Sequence, residues 1–173
     1  AARGGGGDGG GESLFLYIAS QAPHAHFTGA PADMYARADA MREAARFTAK
    51  RRELAALVSC LDALAGDVED ALATADMWDD TVLVFASDNG PEPGSDASAF
   101  PFRGKKRSLW EGGVRSVAFV AAPARLLPGG ARRAYDGLIH LADWAPTLIA
   151  LAAGARAAGA GARAAAAAAA AAA

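Results

Sequence analysis

The stretch TVLVFASDNGP, residues 81 to 91, decides the fold class of this chain. Its first seven residues form a short apolar run rich in branched and aromatic side chains, which is typical of a buried strand. Asp88, Asn89 and Gly90 then end the strand, because Asn-Gly and Gly-Pro are strong turn signals. The stretch therefore predicts a buried strand that stops at a polar turn.

Apolar runs on either side of this stretch extend the pattern. Residues 14 to 20 predict another buried strand, and residues 116 to 121 predict a third strand. From about Pro31 to Ala75 apolar residues recur at helical spacing, and residues 138 to 151 predict a second helix with Pro146 near its first turns. Strands separated by a long helix indicate an α/β fold with a largely parallel sheet. In such sheets ligands collect at the carboxyl ends of the strands.

Both ends of the 173-residue chain have low-complexity composition. Residues 1 to 12 are mostly glycine, and residues 155 to 173 are mostly alanine, which inflates the hydrophobic content of 53%. Gly-rich sequence cannot offset its ordering entropy, and alanine buries little area. We therefore expect a disordered segment over 1–12, a low-complexity tail over 155–173 and a single domain over 13–154.

Charge and cysteine usage exclude several classes of function. A formal net charge of -2 gives no electrostatic reason to expect nucleic acid or an anionic membrane as the main partner. The basic cluster at residues 103 to 107 suits a small anion but is too short to track a phosphate backbone. Cys60 is the single cysteine, so no internal disulfide forms. No apolar run is long enough for a membrane span, and residues 1 to 11 lack the pattern of a secretory signal.

Each chemically suggestive residue has an ordinary alternative. Asp88-Asn89-Gly90 is, taken alone, simply a turn, and His24 beyond the first predicted strand is, taken alone, a solvated side chain. Four neighbouring cations most often form a solvated surface. His140 and Asp143 lie three residues apart, a spacing that suits either metal binding or packing and capping of the last helix.

Taken together and in this order, these segments resemble the type I sulfatases, most closely the arylsulfatase B-like branch. The resemblance covers about residues 13 to 154, and the pair SDNG and GKKRSLWEGG is its most specific part. The segments that carry it are LFLYIASQAPH (14–24), LVSCLDALAGDVEDAL (57–72), MWDDTVLVFASDNG (77–90), FRGKKRSLWEGGVRSVAFVA (102–121) and LIHLADWAPTLIALAAG (138–154).

The resemblance implies an alkaline phosphatase-like α/β fold, a mostly parallel sheet flanked by helices, of which this chain holds an incomplete part. Asp88 and Asn89 match two calcium ligands of the family, and hard oxygen donors are what calcium prefers. Lys106 matches the lysine that contacts sulfate, and His24 matches the histidine that contacts sulfate and manages the leaving-group proton. We expect these four side chains to converge on one cleft.

The chain also departs from the family pattern. The family's nucleophile is formylglycine, made from Cys or Ser within Cys/Ser-x-Pro-x-Arg, and these 173 residues contain no such motif. The paired acidic ligands that the family places after its first strand are missing as well. His24 is followed by Ala25 and His26, where the family usually has a proline two residues on.

Two main hypotheses follow for function. In the first, the complete parent protein hydrolyses a small-molecule or glycan sulfate ester by a calcium-assisted formylglycine mechanism. In the second, the chain is a non-catalytic sulfatase-like fragment or an incomplete gene model, so enzyme activity of the chain itself stays open. A third reading, hydrolysis of phosphate esters within the same superfamily, is disfavoured by LWEGGVR, residues 109 to 115. The resemblance alone suggests a secreted or lysosome-like compartment.

Overall fold

The structure, a computed structural model, describes residues 13–24, 29–124, 126 and 134–157. The segment 1–12, predicted to be disordered, lies outside the described residues, and so does the predicted tail beyond residue 157. The chain divides into two compact units between Ala63 and Leu64, within the long helix α2. Among the described residues, no helix is both long enough and apolar enough to cross a bilayer.

Helices are the regular secondary structure described in the first unit. Helix α1 spans Ala32–Asp39, a 3₁₀ turn spans Ala44–Arg46, and α2 spans Ala49–Thr74. The helical pattern predicted from about Pro31 to Ala75 is therefore confirmed, with an interruption before α2. Thr48 sets the start of α2, because its hydroxyl accepts a hydrogen bond from the backbone N–H of Arg51 at 3.0 Å.

A small alanine core joins α1 to α2 in this unit. Ala38, Ala55 and Ala56 are buried, with Met34, Tyr35 and Phe47 among the larger side chains around them. Alanine buries little apolar area, so the polar contact between the two helices matters more here than in a leucine-rich core.

That polar contact is a bidentate ion pair between Arg52 and Asp39. Arg52 donates from Nε to Oδ1 at 2.6 Å and from its terminal nitrogen to Oδ2 at 2.7 Å. The guanidinium also lies over the ring of Tyr35, 4.7 Å from its centroid. The hydrogen bonds from Arg52 hold the pKa of the Asp39 carboxyl below its usual value.

We expect Asp39→Asn to lower the thermal midpoint of the first unit slightly near neutral pH. In this variant the thermal midpoint should also fall less steeply as the pH is lowered. The folded-state pKa of Asp39 is lowered, so its contribution to stability is present above the unfolded pKa of about 3.9 and is lost as the pH falls through the folded value. Circular dichroism melts between pH 7 and 3 measure this. Glu43→Gln is the control, since its pair with Arg46 lies within one short turn. Equal pH profiles for the two variants would contradict the expectation.

The second unit contains a two-stranded antiparallel sheet. Strands β1, Leu83–Ala86, and β2, Ala118–Ala121, pair so that Leu83 lies opposite Ala121. The rings of Phe85 and Phe119 stack across the pair with centroids 4.9 Å apart. A 3₁₀ turn, Trp78–Asp80, precedes β1, and a short helix α3, Glu111–Val114, precedes β2. Strands are thus confirmed within 81–87 and 116–121. The burial predicted for the strand at 81–87 is wrong: β1 is half-buried with Ala86 exposed, and β2 is mostly exposed, because the described sheet has only two strands and leaves its faces open.

The predicted parallel sheet is not confirmed within the described residues. Parallel neighbours need a crossover connection, usually a full helix, whereas residues 87–117 contain only the four-residue α3 and return the chain antiparallel. The strand predicted at residues 14 to 20 is also not formed. A strand needs a partner for its backbone groups, and residues 14 to 18 pair with no strand in the described part and have side chains 44% to 79% exposed.

The last helix, α4, spans Trp144–Ala157 and follows a 3₁₀ turn at Leu141–Asp143. His140 and Asp143 form a capping box: Nδ1 of His140 accepts from Ala142 N at 3.1 Å, and the carboxylate of Asp143 accepts from His140 N at 2.7 Å. This supports the capping alternative for the pair. The predicted helix at 138–151 is confirmed in part, since it begins later and runs further.

Candidate functional site

The connection from β1 to β2, residues 87–117, is the site loop, and it carries three of the four predicted functional residues. Its two ends continue the sheet, because Ser87 N donates to Val117 O at 2.9 Å and the hydroxyl of Ser116 donates to Ser87 O at 2.7 Å. One step further, Gly90 N donates to Gly113 O at 3.0 Å. The turn after β1 is therefore fixed against the chain that enters β2.

Three glycines let the backbone segments of the site loop approach closely. A Cβ added at Gly90 would overlap the carbonyl of Gly112, and Gly112 and Gly113 are themselves buried. Gly112 N donates to Arg103 O at 2.7 Å, which ties the basic segment to the start of α3. These positions need glycine for lack of space. Gly104, at a φ of +94°, needs it for its backbone conformation.

Asp88 and Asn89 lie at the carboxyl end of β1, as the sequence predicts. Asp88 is exposed, and its carboxylate has no hydrogen-bond or ion-pair partner among the described residues. The side-chain nitrogen of Asn89 donates to Gly90 O at 3.0 Å, which leaves the side-chain oxygen as the atom able to bind a cation. Two adjacent residues thus each offer one or more oxygen donors at the strand end.

These donors fit calcium in part. Calcium takes about six to eight oxygen ligands. The described part of the chain contains no cluster of three or more His, Cys, Asp or Glu side chains placed to hold a metal ion. Asp88 and Asn89 are therefore suited to part of a calcium site, with the remaining ligands supplied from elsewhere.

Lys106 is held in the site loop by its backbone and its side chain. Its N–H donates to Pro91 O at 3.0 Å, which places it beside the turn that follows Asp88 and Asn89. Its Nζ lies 3.6 Å from Oε2 of Glu92, and the Lys106 side chain is 26% exposed. Arg107, in the left-handed region with a φ of +73°, contacts the other carboxylate oxygen of Glu92 at 3.2 Å.

Glu92 is the site residue that sequence reasoning missed. It stands between Pro91 and Pro93 in a polar loop, and no spacing or motif marks it as a partner of Lys106. Only the fold of the site loop, which returns the basic segment past Pro91, brings the two charges together.

Arg103 and Arg115 brace the structure of the site loop through aromatic rings. The guanidinium of Arg103 lies 3.9 Å from the ring centroid of Trp110, and that of Arg115 lies 4.8 Å from that of Phe102. Arg115 also pairs with Glu111 at 3.0 Å. Trp110 and Glu111 therefore shape the loop.

His24 belongs to the first unit and is exposed. It ends a turn in which its N–H donates to Gln21 O at 2.8 Å. His26 lies outside the described residues. The convergence of His24 with Asp88, Asn89 and Lys106 stays a prediction, since His24 lies in one unit and the other three residues lie in the other.

The formylglycine nucleophile does not fit this chain. Cys60, the one cysteine, is half-buried within α2 and is followed by Leu-Asp-Ala-Leu. None of the serines stands in a Ser-x-Pro-x-Arg sequence. The reacting group of the family therefore has no counterpart among these residues.

The sequence of this chain is similar to known proteins over most of its length. The family model described as Sulfatase matches residues 8–155. The chain is 37% identical to Arylsulfatase J of Mus musculus over 141 residues, which are 82% of this chain and 22% of that protein. It is 33% identical to Arylsulfatase A of Homo sapiens over 95 residues, 53% of this chain and 18% of that protein. The chain spans about a fifth of the length of these relatives.

Proposed function

The chain belongs to the sulfatase family, and we propose that it is part of the catalytic domain of an enzyme that hydrolyses sulfate esters. The observation that carries the proposal is the placement of Lys106. Its backbone hydrogen bond to Pro91 holds this partly buried cation beside the turn that bears Asp88 and Asn89. A cation next to a pair of oxygen donors for calcium is an arrangement that suits an anionic ester.

Each of the four residues has a distinct role in this proposal. Lys106 contacts the sulfate oxygens and stabilises the charge that develops on them, since a fixed cation away from bulk water acts without reorganisation. Asp88 and Asn89 would supply some of the ligands of a calcium ion, and the ion, when bound, would add positive charge. His24 contacts sulfate and passes a proton to the departing alcohol. The substrate class is a small-molecule or glycan sulfate ester.

A chimera tests the proposal. Residues 87–117 of this chain replace the matching segment of mouse Arylsulfatase J, and hydrolysis of a chromogenic aryl sulfate is measured beside the unaltered relative. We expect the chimera to retain activity, because the site loop supplies Lys106 and both calcium donors in their own backbone setting. A chimera that is folded, as judged by its thermal melt, yet inactive would count against the proposal.

The 173-residue chain by itself is the matched negative control. We expect no turnover of the same ester above background, even with calcium and a formylglycine-generating enzyme present, because the sequence offers no residue in the required motif. Turnover that is lost on Lys106→Ala would reveal a nucleophile within these residues and contradict the assignment of roles.

A further inference from the structure

Glu92 is anchored in the site loop by its backbone. Its carbonyl accepts two hydrogen bonds from Ser95, from the hydroxyl at 2.7 Å and from the backbone N–H at 3.2 Å. The carbonyl of Pro91, one residue earlier, accepts from Lys106 N at 3.0 Å. The backbone of Glu92 is therefore fixed beside that of Lys106, and the Glu92 side chain is 30% exposed.

The carboxylate of Glu92 is divided between two cations. Oε1 lies 3.2 Å from Arg107, whereas Oε2 lies 3.6 Å from Nζ of Lys106. A charge-assisted hydrogen bond is about 2.7 to 2.9 Å long, so the contact to Lys106 is loose. The contact of Arg107 with Glu92 is the shorter of the two, although the Arg107 side chain is 76% exposed. Lys106 is therefore the partner that a second anion displaces more easily.

We propose that Glu92 is an internal counter-ion that occupies Lys106 in the absence of sulfate and competes with sulfate for it. The proposal rests on the proposed function, in which Lys106 contacts the sulfate oxygens. Both anions present negative oxygens to the same ammonium group, and a carboxylate left beside bound sulfate repels it. Arg107 keeps Glu92 in place when Lys106 turns to the substrate, so Glu92 weakens the binding of sulfate and favours its release as product.

The test is a titration of the 173-residue chain with inorganic sulfate, in which the side-chain NMR signal of Lys106 is monitored. Sodium chloride keeps the ionic strength constant, because salt screens the same charges. We expect Glu92→Gln to tighten the apparent Kd about two- to fivefold, the range for loss of a partly exposed ion pair. Glu92→Asp keeps the charge but draws it back by one methylene, and its Kd should fall between those of the parent and Glu92→Gln.

Glu111→Gln is the matched control. It removes the same single charge from the same loop, but its partner is Arg115 at 3.0 Å, not Lys106. If Glu111→Gln tightens sulfate binding as much as Glu92→Gln does, the effect is one of net charge and the counter-ion proposal is overturned. Tighter binding by Glu92→Gln alone supports it.

Lys106→Met separates this proposal from the proposed function. If sulfate perturbs the backbone amides around residue 106 equally in the parent chain and in Lys106→Met, then Lys106 does not contact sulfate and both proposals fail. If Lys106→Met abolishes binding but neither Glu92 variant changes it, the contact with sulfate stands and the counter-ion role alone is lost.

Discussion

Lys106→Ala is expected to lower kcat for aryl sulfate hydrolysis by about 10²- to 10³-fold in the chimera that carries residues 87–117. Removal of one fixed group that stabilises charge in a transition state typically has an effect of this size. The effect should fall mainly on kcat and kcat/KM, with a smaller change in KM, since the charge on the ester oxygens grows as the bond breaks. Steady-state kinetics with a chromogenic ester measure all three.

Lys105→Ala is the control for this substitution. Lys105 is the adjacent cation and is exposed, whereas Lys106 is partly buried against Glu92. Both variants remove one positive charge from the same loop, so only a specific contact distinguishes them. Equal losses of kcat in the two variants would mean that Lys106 acts only through its positive charge and makes no specific contact with the substrate.

Gly90→Ala is expected to destabilise the second unit by about 1 to 3 kcal/mol or more, the range for forcing an extra carbon into a filled space. The new methyl group would overlap the carbonyl of Gly112, and backbone atoms cannot turn aside as a flexible side chain can. The hydrogen bond from Gly90 to Gly113 would be strained as well. Urea unfolding followed by tryptophan fluorescence reports on this unit, because Trp78, Trp110 and Trp144 all lie within it.

Gly66→Ala is the matched control for Gly90→Ala. Gly66 is exposed within α2, and a Cβ there meets nothing within 4 Å. Alanine is favoured over glycine in a helix interior by roughly 0.5 to 1 kcal/mol, so this variant should be slightly stabilised. If both variants unfold at the parent's urea midpoint, the close approach of Gly90 to Gly112 does not constrain which residue position 90 tolerates.

Local pattern was sufficient to predict much of the secondary structure and the place of Asp88 and Asn89 after β1. The apolar runs at 81–87 and 116–121 contain β1 and β2, and helical spacing of leucines and valines located α2. Asp88 and Asn89 stand at the strand end because a turn signal follows an apolar run, and both facts are local. The sulfatase family could be recognised because its motifs are spread over most of the chain.

Features that depend on residues far apart in the sequence could not be predicted from local sequence pattern. The run from Leu14 to Ile18 has the composition of a strand, but a strand forms only when another strand accepts its hydrogen bonds. Relative strand direction likewise depends on the route of residues 87–117, and this segment contains too little helix for a crossover. The pairing of Glu92 with Lys106 arises from that same route.

The exposed run at residues 14 to 18 also bears on how the protein behaves in concentrated solution. From Ser13 to Ser20 the sequence contains no charge, no proline and no glycine, and five consecutive large apolar side chains are 44% to 79% exposed. Segments of this kind stack between molecules as intermolecular cross-β ribbons, in which each chain supplies the hydrogen-bond partner that the next one lacks. A charged gatekeeper residue in place of Tyr17, the most exposed of the five, would oppose that stacking without touching the site loop.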